Sequence, residues 1–99
     1  MELMSTGDRC CMAFQALGNR NRLRIMVLIK EGEMCVSDIC AHFRMRQPSV
    51  SHHLDMLKRA GLVTSEKRGR EVYYRMNEKA ILECCGRQLR AFDIIVRQA

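Results

Sequence analysis

The sequence predicts a small, mainly α-helical domain with one β-hairpin, and three observations lead to this fold class. Residues Gln47–Arg59 have the pattern of an amphipathic helix, with Val50, Leu54 and Leu57 at i, i+4 and i+7 on one apolar stripe. A shorter helical pattern and a turn come before it, and a hairpin pattern with a cation-rich tip comes after it. That order is typical of a winged helix-turn-helix. We expect residues 1–99 to form a single domain of this kind.

Composition and charge indicate the class of partner. The formal net charge is +6, from 17 Lys and Arg against 11 Asp and Glu, which favours nucleic acid over a membrane surface. The first eight residues lack the basic and apolar regions of a signal peptide. The longest strongly apolar run, Ile25–Ile29, is far shorter than a membrane span. We therefore expect a cytoplasmic location and no membrane partner.

Two helices are expected in the first 30 residues. Asp8 is suited to cap a helix that continues to about Leu17, and the apolar positions of that helix are Met12, Phe14 and Leu17. Asn19 or Asn21 then caps a second helix that continues to about Lys30. The expected buried face of this second helix consists of Leu23, Met26, Val27 and Ile29.

The central region predicts the helix-turn-helix itself. Ser37 is a favourable N-cap, and Asp38 suits the first turn of a short helix that ends near Arg44. Residues 45–46 form the turn. Pro48 fits the first turn of the next helix, where its missing N–H has no cost.

The last third of the chain predicts a hairpin and a final helix. Residues 62–66 and 72–76 have strand character, and the glycine-containing, cation-rich segment 67–71 is the expected turn between them. Asn77 is suited to cap a helix from Glu78 to about Arg97, whose apolar stripe is Ile81, Cys85, Leu89, Phe92 and Val96. Because so long a stripe needs a partner in so short a chain, we expect a homodimer.

Polar side chains on the helix-turn-helix and on the hairpin are suited to bind double-stranded DNA. Serine hydroxyls and an imidazole can donate and accept hydrogen bonds at base edges or phosphates, and glutamine can pair with adenine. Arginines on a hairpin tip can reach phosphates or a narrow minor groove. The expected contacts are Gln47, Ser49, Ser51, His52, Arg68 and Arg70. The alternative for each is a solvated polar residue, whereas His53 lies beside the apolar stripe and is expected to be partly buried and hydrogen-bonded.

No catalytic constellation stands out. The sequence lacks an evident Ser/His/Asp order, phosphate-binding loop or pair of carboxylates. We therefore expect neither an enzyme nor an organic cofactor. A winged helix used only as a protein-interaction module is the alternative from a different functional class.

Several segments together resemble the ArsR/SmtB family of bacterial repressors. They are residues 16–25, 35–40, 47–54, 61–63 and 68–76. The match covers nearly the whole chain, and the order and spacing of the segments together carry the resemblance. The resemblance implies a winged helix that is dimeric through its first and last helices and that represses an operon. It also implies release from operator DNA when a metal, a metalloid or another thiol-reactive inducer binds.

The six cysteines are the candidates for inducer binding. In a reducing compartment they are core residues, metal ligands or redox thiols rather than disulfides. Arsenic sensors of the family carry Cys-Val-Cys-Asp-Leu-Cys before the recognition helix, whereas this chain has Cys35 and Cys40 at the outer positions and Ser37 at the middle one. A three-thiolate site within the motif is therefore excluded, and a third thiolate has to come from elsewhere.

Two adjacent pairs are able to supply it. Some family members provide N-terminal cysteines to the opposite subunit, and others use an adjacent pair on the last helix. The candidate ligands are thus Cys10, Cys11, Cys35, Cys40, Cys84 and Cys85. Soft thiolates favour As(III), Sb(III), Cd(II), Pb(II) or Cu(I) over harder ions, and the resemblance to the arsenic sensors implies As(III) or Sb(III) as the inducer. A redox or persulfide sensor that uses the same thiols is the alternative.

Overall fold

The computed structural model describes residues 6–84 and 86, and this part of the chain contains five helices and a three-stranded sheet. The elements are α1 (Thr6–Leu17), α2 (Arg20–Ile29), β1 (Met34–Cys35), α3 (Val36–Ala41), α4 (Gln47–Arg59), β2 (Val63–Arg68), β3 (Glu71–Met76) and α5 (78–84). The mainly α-helical architecture with a β-hairpin wing is confirmed. The expectations for Cys85 and for the last helix beyond residue 86 lie outside the described residues.

Helix α1 buries its small side chains instead of its large ones. Cys10, Ala13 and Ala16 are 1%, 4% and 5% exposed, whereas Met12 and Phe14 are 36% and 46% exposed. Small residues at i, i+3 and i+6 let neighbouring helices approach closely, so the tertiary packing selects that face. The larger apolar side chains are left at the surface.

Helix α2 is capped as expected, but the face that it buries differs from the predicted one. The Asn19 side chain accepts hydrogen bonds from the backbone N–H groups of Asn21 and Arg22, at 2.9 and 3.2 Å. The residues buried are Ile25, Met26 and Ile29, whereas Leu23 and Val27 are 49% and 60% exposed. Assigning Leu23 and Val27 to the core was therefore wrong, because the sequence has apolar residues on both sides of this helix and only packing distinguishes them.

Helix α3 begins earlier than predicted, and Ser37 is not its N-cap. A short strand that the sequence did not predict, β1, pairs Cys35 with Tyr73 and keeps the chain extended up to Cys35, which becomes the N-cap residue. Ser37 lies within the helix, and its hydroxyl donates to the Glu71 carboxylate at 3.3 Å. The helix ends at Ala41.

The sheet is antiparallel with strand order β1-β3-β2. Strands β2 and β3 pair from Val63 with Met76 to Arg68 with Glu71, so only two residues form the turn instead of the five expected. Gly69 has a φ of +62°, and no non-glycine residue in the described chain has a positive φ. A positive φ at only the first central position is the signature of a type II′ turn, which suits the twist of a hairpin.

The apolar stripe of α4 is the centre of the core. Val50, Leu54 and Leu57 are all 0% exposed, which confirms the predicted buried face. The other fully or nearly fully buried large residues around them include Ile25, Ile29, Ile39 and Leu62. The buried face of α4 and the core are therefore one packing unit.

Asn77 connects the wing to the end of α4. Its side-chain amide donates to the Gly61 carbonyl at 3.0 Å, and its carbonyl oxygen accepts from the backbone N–H of Ala80 at 3.3 Å. The cap predicted for the last helix is thus confirmed. No helix in the described part of the chain is long and apolar enough to cross a membrane.

Candidate nucleic-acid interface

Helix α4 has the predicted bounds and presents a polar surface away from the core. Because successive residues are about 100° apart on a helix, His52 lies nearly opposite the buried stripe. Gln47, Ser49 and His52 are exposed, whereas Ser51 is half-buried. These residues occupy the N-terminal half of the helix, which is the half that contacts base edges in a helix-turn-helix.

The C-terminal half of α4 has a different surface. Asp55 and Arg59 form an exposed i,i+4 ion pair at 3.0 Å. The exposed cation Lys58 lies on the same half, so this surface consists of charged side chains, whereas the first two turns present glutamine, serine and histidine side chains. Arg44 and Arg46 add two exposed cations just before those turns. Neither arginine was among the DNA contacts predicted from the sequence, although their positive charge beside the predicted turn was a signal for such a role.

His53 is held inside the helix packing. It is half-buried, and its Nδ1 accepts a hydrogen bond from Nε of Arg22 at 3.3 Å. Burial, followed by the positive charges of Arg22 and His52, lowers the pKa of His53 below its ordinary value. The expectation of a partly buried, hydrogen-bonded histidine is confirmed.

The two wing arginines have different surroundings. The guanidinium of Arg68 contacts Glu33 through two nitrogens, at 2.5 and 3.0 Å, and Glu66 at 2.8 Å. It also lies 4.8 Å from the centre of the Tyr73 ring. Arg70 is exposed in the two-residue turn. Arg68, which pairs with Glu71 beside the turn, is therefore bound to the segment before β1, whereas Arg70 is exposed at the tip of the wing.

Ion pairing at Arg68 changes the ionisation of its neighbours. The hydrogen bond from Arg68 lowers the pKa of the Glu33 carboxyl. The hydrogen bonds that Arg68 donates to Glu33 and Glu66 raise the pKa of Arg68 still further. The Arg68 charge is thus largely compensated within the protein. Glu33 lies 35 residues away from Arg68 in sequence, so no local pattern could have revealed this contact.

Cys35, the N-cap residue of α3, and Cys40, within α3, belong to a segment that packs against α4. Cys35 is 6% exposed and Cys40 is half-buried beside the core. The backbone N–H of Asp38 donates to Cys35 and favours its thiolate, but burial and the Asp38 and Glu71 carboxylates outweigh it and raise the pKa of Cys35. Cys35 is therefore predominantly a thiol at neutral pH.

The other cysteines that the structure describes differ in how far they are exposed. Cys10 is buried and Cys11 is exposed, although the two are adjacent. Cys84 is half-buried and lines a cavity of about 360 Å³ with residues that include Met12, Ala13 and Asn77. Among the residues that the structure describes, no three His, Cys, Asp or Glu side chains are grouped closely enough to hold a metal ion. Of the six candidate ligands, Cys35 is the N-cap residue of α3 and Cys40 lies within that helix, Cys10 and Cys11 lie on α1, and Cys85 lies outside the described residues.

Comparison with known proteins agrees with this geometry. Residues 19–65 match the family model described as "Bacterial regulatory protein, arsR family". The chain is 39% identical over 64 residues to the transcriptional repressor SdpR of Bacillus subtilis, a match that covers 65% of this chain and 71% of that protein. It is 40% identical over 65 residues to the arsenical resistance operon repressor of Escherichia coli, covering 65% and 56% of the two chains.

A solved structure agrees with both the fold and the family. It is a homodimeric winged helix-turn-helix DNA-binding domain from Mycobacterium bovis, described as a possible ArsR-family regulator, and it aligns with a TM-score of 0.73 at 29% identity. The alignment covers 94% of this chain and 92% of that one. The chain therefore belongs to the ArsR family of DNA-binding transcriptional repressors.

Proposed function

We propose that this protein is a cytoplasmic repressor that binds operator DNA as a homodimer and is released by a soft, thiol-reactive inducer, As(III) or Sb(III). The observation that carries the proposal is the two-sided character of α4. Its apolar stripe is fully buried, and Gln47, Ser49 and His52 are exposed on its first two turns. Direct base contacts come from these residues together with Ser51, and phosphate contacts come from Arg70 and from the arginines before α4.

A second copy of the chain supplies the other half of the DNA-binding surface. Met12 and Phe14 of α1 are exposed apolar residues in the single chain. Exposed apolar side chains of this kind are typical of a surface that is buried in a dimer. The solved relative from Mycobacterium bovis is described as homodimeric. Two recognition helices then have to match half-sites about 34 Å apart.

The inducer site requires a donor from outside the α3 motif. Cys35 and Cys40 provide two thiols, and Ser37 replaces the third. Cys11 is exposed in the single chain and Cys10 is buried, so Cys11 is the better placed of the two to bind at a second copy. We therefore propose an intersubunit site built from Cys35, Cys40 and the Cys11 of the other copy. The arsenical resistance operon repressors among the relatives support the choice of As(III).

Coupling between inducer and operator follows from the packing. Because α3 packs directly on α4, a ligand that rearranges α3 changes the free energy of the DNA-bound geometry. Release requires only that the inducer bind the DNA-free arrangement of the dimer more tightly than the DNA-bound one.

The test is release of a fluorescent duplex selected in vitro for binding to the wild-type protein, titrated with As(III), Sb(III), Cd(II) and a persulfide donor. Cys11→Ser and Cys40→Ser are expected to retain DNA binding and to lose the response to As(III). Ser37→Cys restores a three-thiol motif and is expected to return that response in the Cys11→Ser background. A full As(III) response in Cys11→Ser alone would refute the intersubunit site.

The alternative signal is oxidation or persulfidation of the same thiols, and the exposure of Cys11 is the observation that favours it. Intact-mass spectrometry separates the two. An arsenic adduct that a competing dithiol removes supports chelation. Release that accompanies a disulfide or persulfide, without any arsenic adduct, supports the redox signal.

A further inference from the structure

One side chain, Arg22, connects the helix of the proposed dimer surface with the helix that reads DNA. Its Nη1 donates to the backbone carbonyl of Ala16 in the last turn of α1, at 3.3 Å. Its Nε donates to Nδ1 of His53 in the middle of α4, also at 3.3 Å. Its own backbone N–H donates to the Asn19 side chain that caps α2. Three helices are therefore joined at this residue.

The contact depends on the protonation state of His53. Nδ1 accepts a hydrogen bond only when it carries a lone pair, so the imidazole is neutral with its proton on Nε2. A protonated His53 would place a donor against a donor and a positive charge beside the Arg22 guanidinium. Among the described residues, the charged or titratable groups that act on His53 are Arg22 from α2 and His52 from its own helix. α1 takes part through the Ala16 carbonyl.

The position of Arg22 also argues against a direct role in DNA binding. Arg22 is half-buried, and two of its side-chain nitrogens are engaged with protein acceptors. Arg20 and Arg24, in contrast, are exposed on the same helix. The three arginines look alike in sequence, and only their contacts distinguish them.

We infer that Arg22 is a positioning residue for DNA recognition: it fixes the orientation of α4 relative to α1, and it does so only while His53 is neutral. Operator affinity should therefore fall as His53 becomes protonated. The inference rests on DNA binding by α4 and is independent of which inducer the protein senses.

The first test compares Arg22→Gln with Arg24→Gln, a control that removes the same charge from the same helix. Affinity for the selected duplex is measured by fluorescence anisotropy at several salt concentrations, with unfolding monitored in parallel. Arg22→Gln should weaken binding by about tenfold, the size of a typical coupling between contacting residues, and should leave the salt dependence unchanged. Arg24→Gln should bind several-fold more tightly than Arg22→Gln.

The second test uses the imidazole. His53→Gln retains a hydrogen-bond acceptor that does not titrate, so it should bind DNA near the wild-type level at about pH 8 and lose the His53-dependent weakening between about pH 7 and 5.5. His52→Gln is the control for the neighbouring ring and should keep that weakening. The His53 resonances of the free protein should titrate at a higher pKa in Arg22→Gln than in the wild type, which is a readout independent of DNA.

Three results would overturn the inference. One is equal affinity of Arg22→Gln and Arg24→Gln. Another is a decrease in salt dependence of about one ion per protomer in Arg22→Gln, which would identify a phosphate contact instead. The third is an unchanged pH response in His53→Gln, a result that stands even if Arg22→Gln fails to fold. Failure of the wild-type protein to bind any duplex would instead refute the proposed function, and the His53 titration would still test the Arg22 contact.

Discussion

The two wing arginines should contribute very differently to DNA binding. Arg70→Ala removes an exposed cation from the hairpin turn. Arg68→Ala, only two residues away, removes a guanidinium whose nitrogens are bonded to Glu33 and Glu66. Both variants lose one positive charge, so any difference between them reports contact with phosphate rather than net charge.

The magnitude follows from counterion release. Each phosphate neutralised contributes a slope of about −0.9 to the dependence of log affinity on log salt. A dimer with two Arg70 side chains on phosphates therefore owes a slope of about −1.8 to them. Between about 50 and 200 mM salt, the wild-type protein should lose about 12-fold more affinity than Arg70→Ala. Arg68→Ala should lose affinity with salt as steeply as the wild type.

The assay is a fluorescence anisotropy titration of the selected duplex at four salt concentrations. Glu33→Gln completes the series, because it weakens the hold on Arg68 and should make the slope steeper if the freed side chain reaches a phosphate. A slope reduced in Arg68→Ala and unchanged in Arg70→Ala would show that the assignment of the two arginines is reversed.

Three further predictions concern the stability of the fold. Leu57→Ala, at a position that is 0% exposed, should reduce the free energy of unfolding by about 2–5 kcal/mol in urea titrations, whereas exposed Lys58→Ala should change it by less than about 0.5 kcal/mol; equal losses would contradict the buried stripe. Gly61→Ala, at a φ of +79°, should reduce the free energy of unfolding by about 1–2 kcal/mol, measured through the shift in thermal midpoint. Gly32→Ala is the control and should reduce it by less, because φ at Gly32 is not positive and an added Cβ would meet no neighbouring atom. Because the pKa of His53 in the folded state is below 6.5, protons bind more readily to His53 in the unfolded state. The contribution of neutral His53 to the free energy of unfolding is therefore complete above pH 6.5 and is lost as the pH falls through the lowered pKa. His53→Gln should remove that part of the pH dependence, and an identical stability profile in both proteins would contradict the burial of the ring.

Local patterns predicted the parts of the fold that depend on neighbours in sequence. The bounds of α4 follow from Pro48 and from the spacing of its apolar residues, and the Asn19 and Asn77 caps follow from their side-chain chemistry. The hairpin follows from two strand patterns around a glycine. Each of these features is determined within a few residues, which is the range over which hydrogen-bonding and steric preferences of the backbone act.

Features that depend on contacts distant in sequence were not predictable in this way. Strand β1 exists because β3 pairs with it, and that pairing moved the start of α3 and displaced Ser37 from the cap. The buried faces of α1 and α2 were chosen by neighbouring helices from two apolar sides. The adjacent Cys10 and Cys11 became one buried and one exposed thiol for the same reason.

The sequence by itself determined a winged helix-turn-helix with a polar recognition helix and a cysteine-rich complement of candidate sensors. Tertiary structure decided which of these polar residues are available to a partner. It bonded Arg68 to Glu33 and Arg22 to His53, and it left Arg70 and Cys11 at the surface. The physical reason is that a residue type specifies what a side chain is able to bind, whereas burial and long-range pairing determine whether that capacity is already used within the protein.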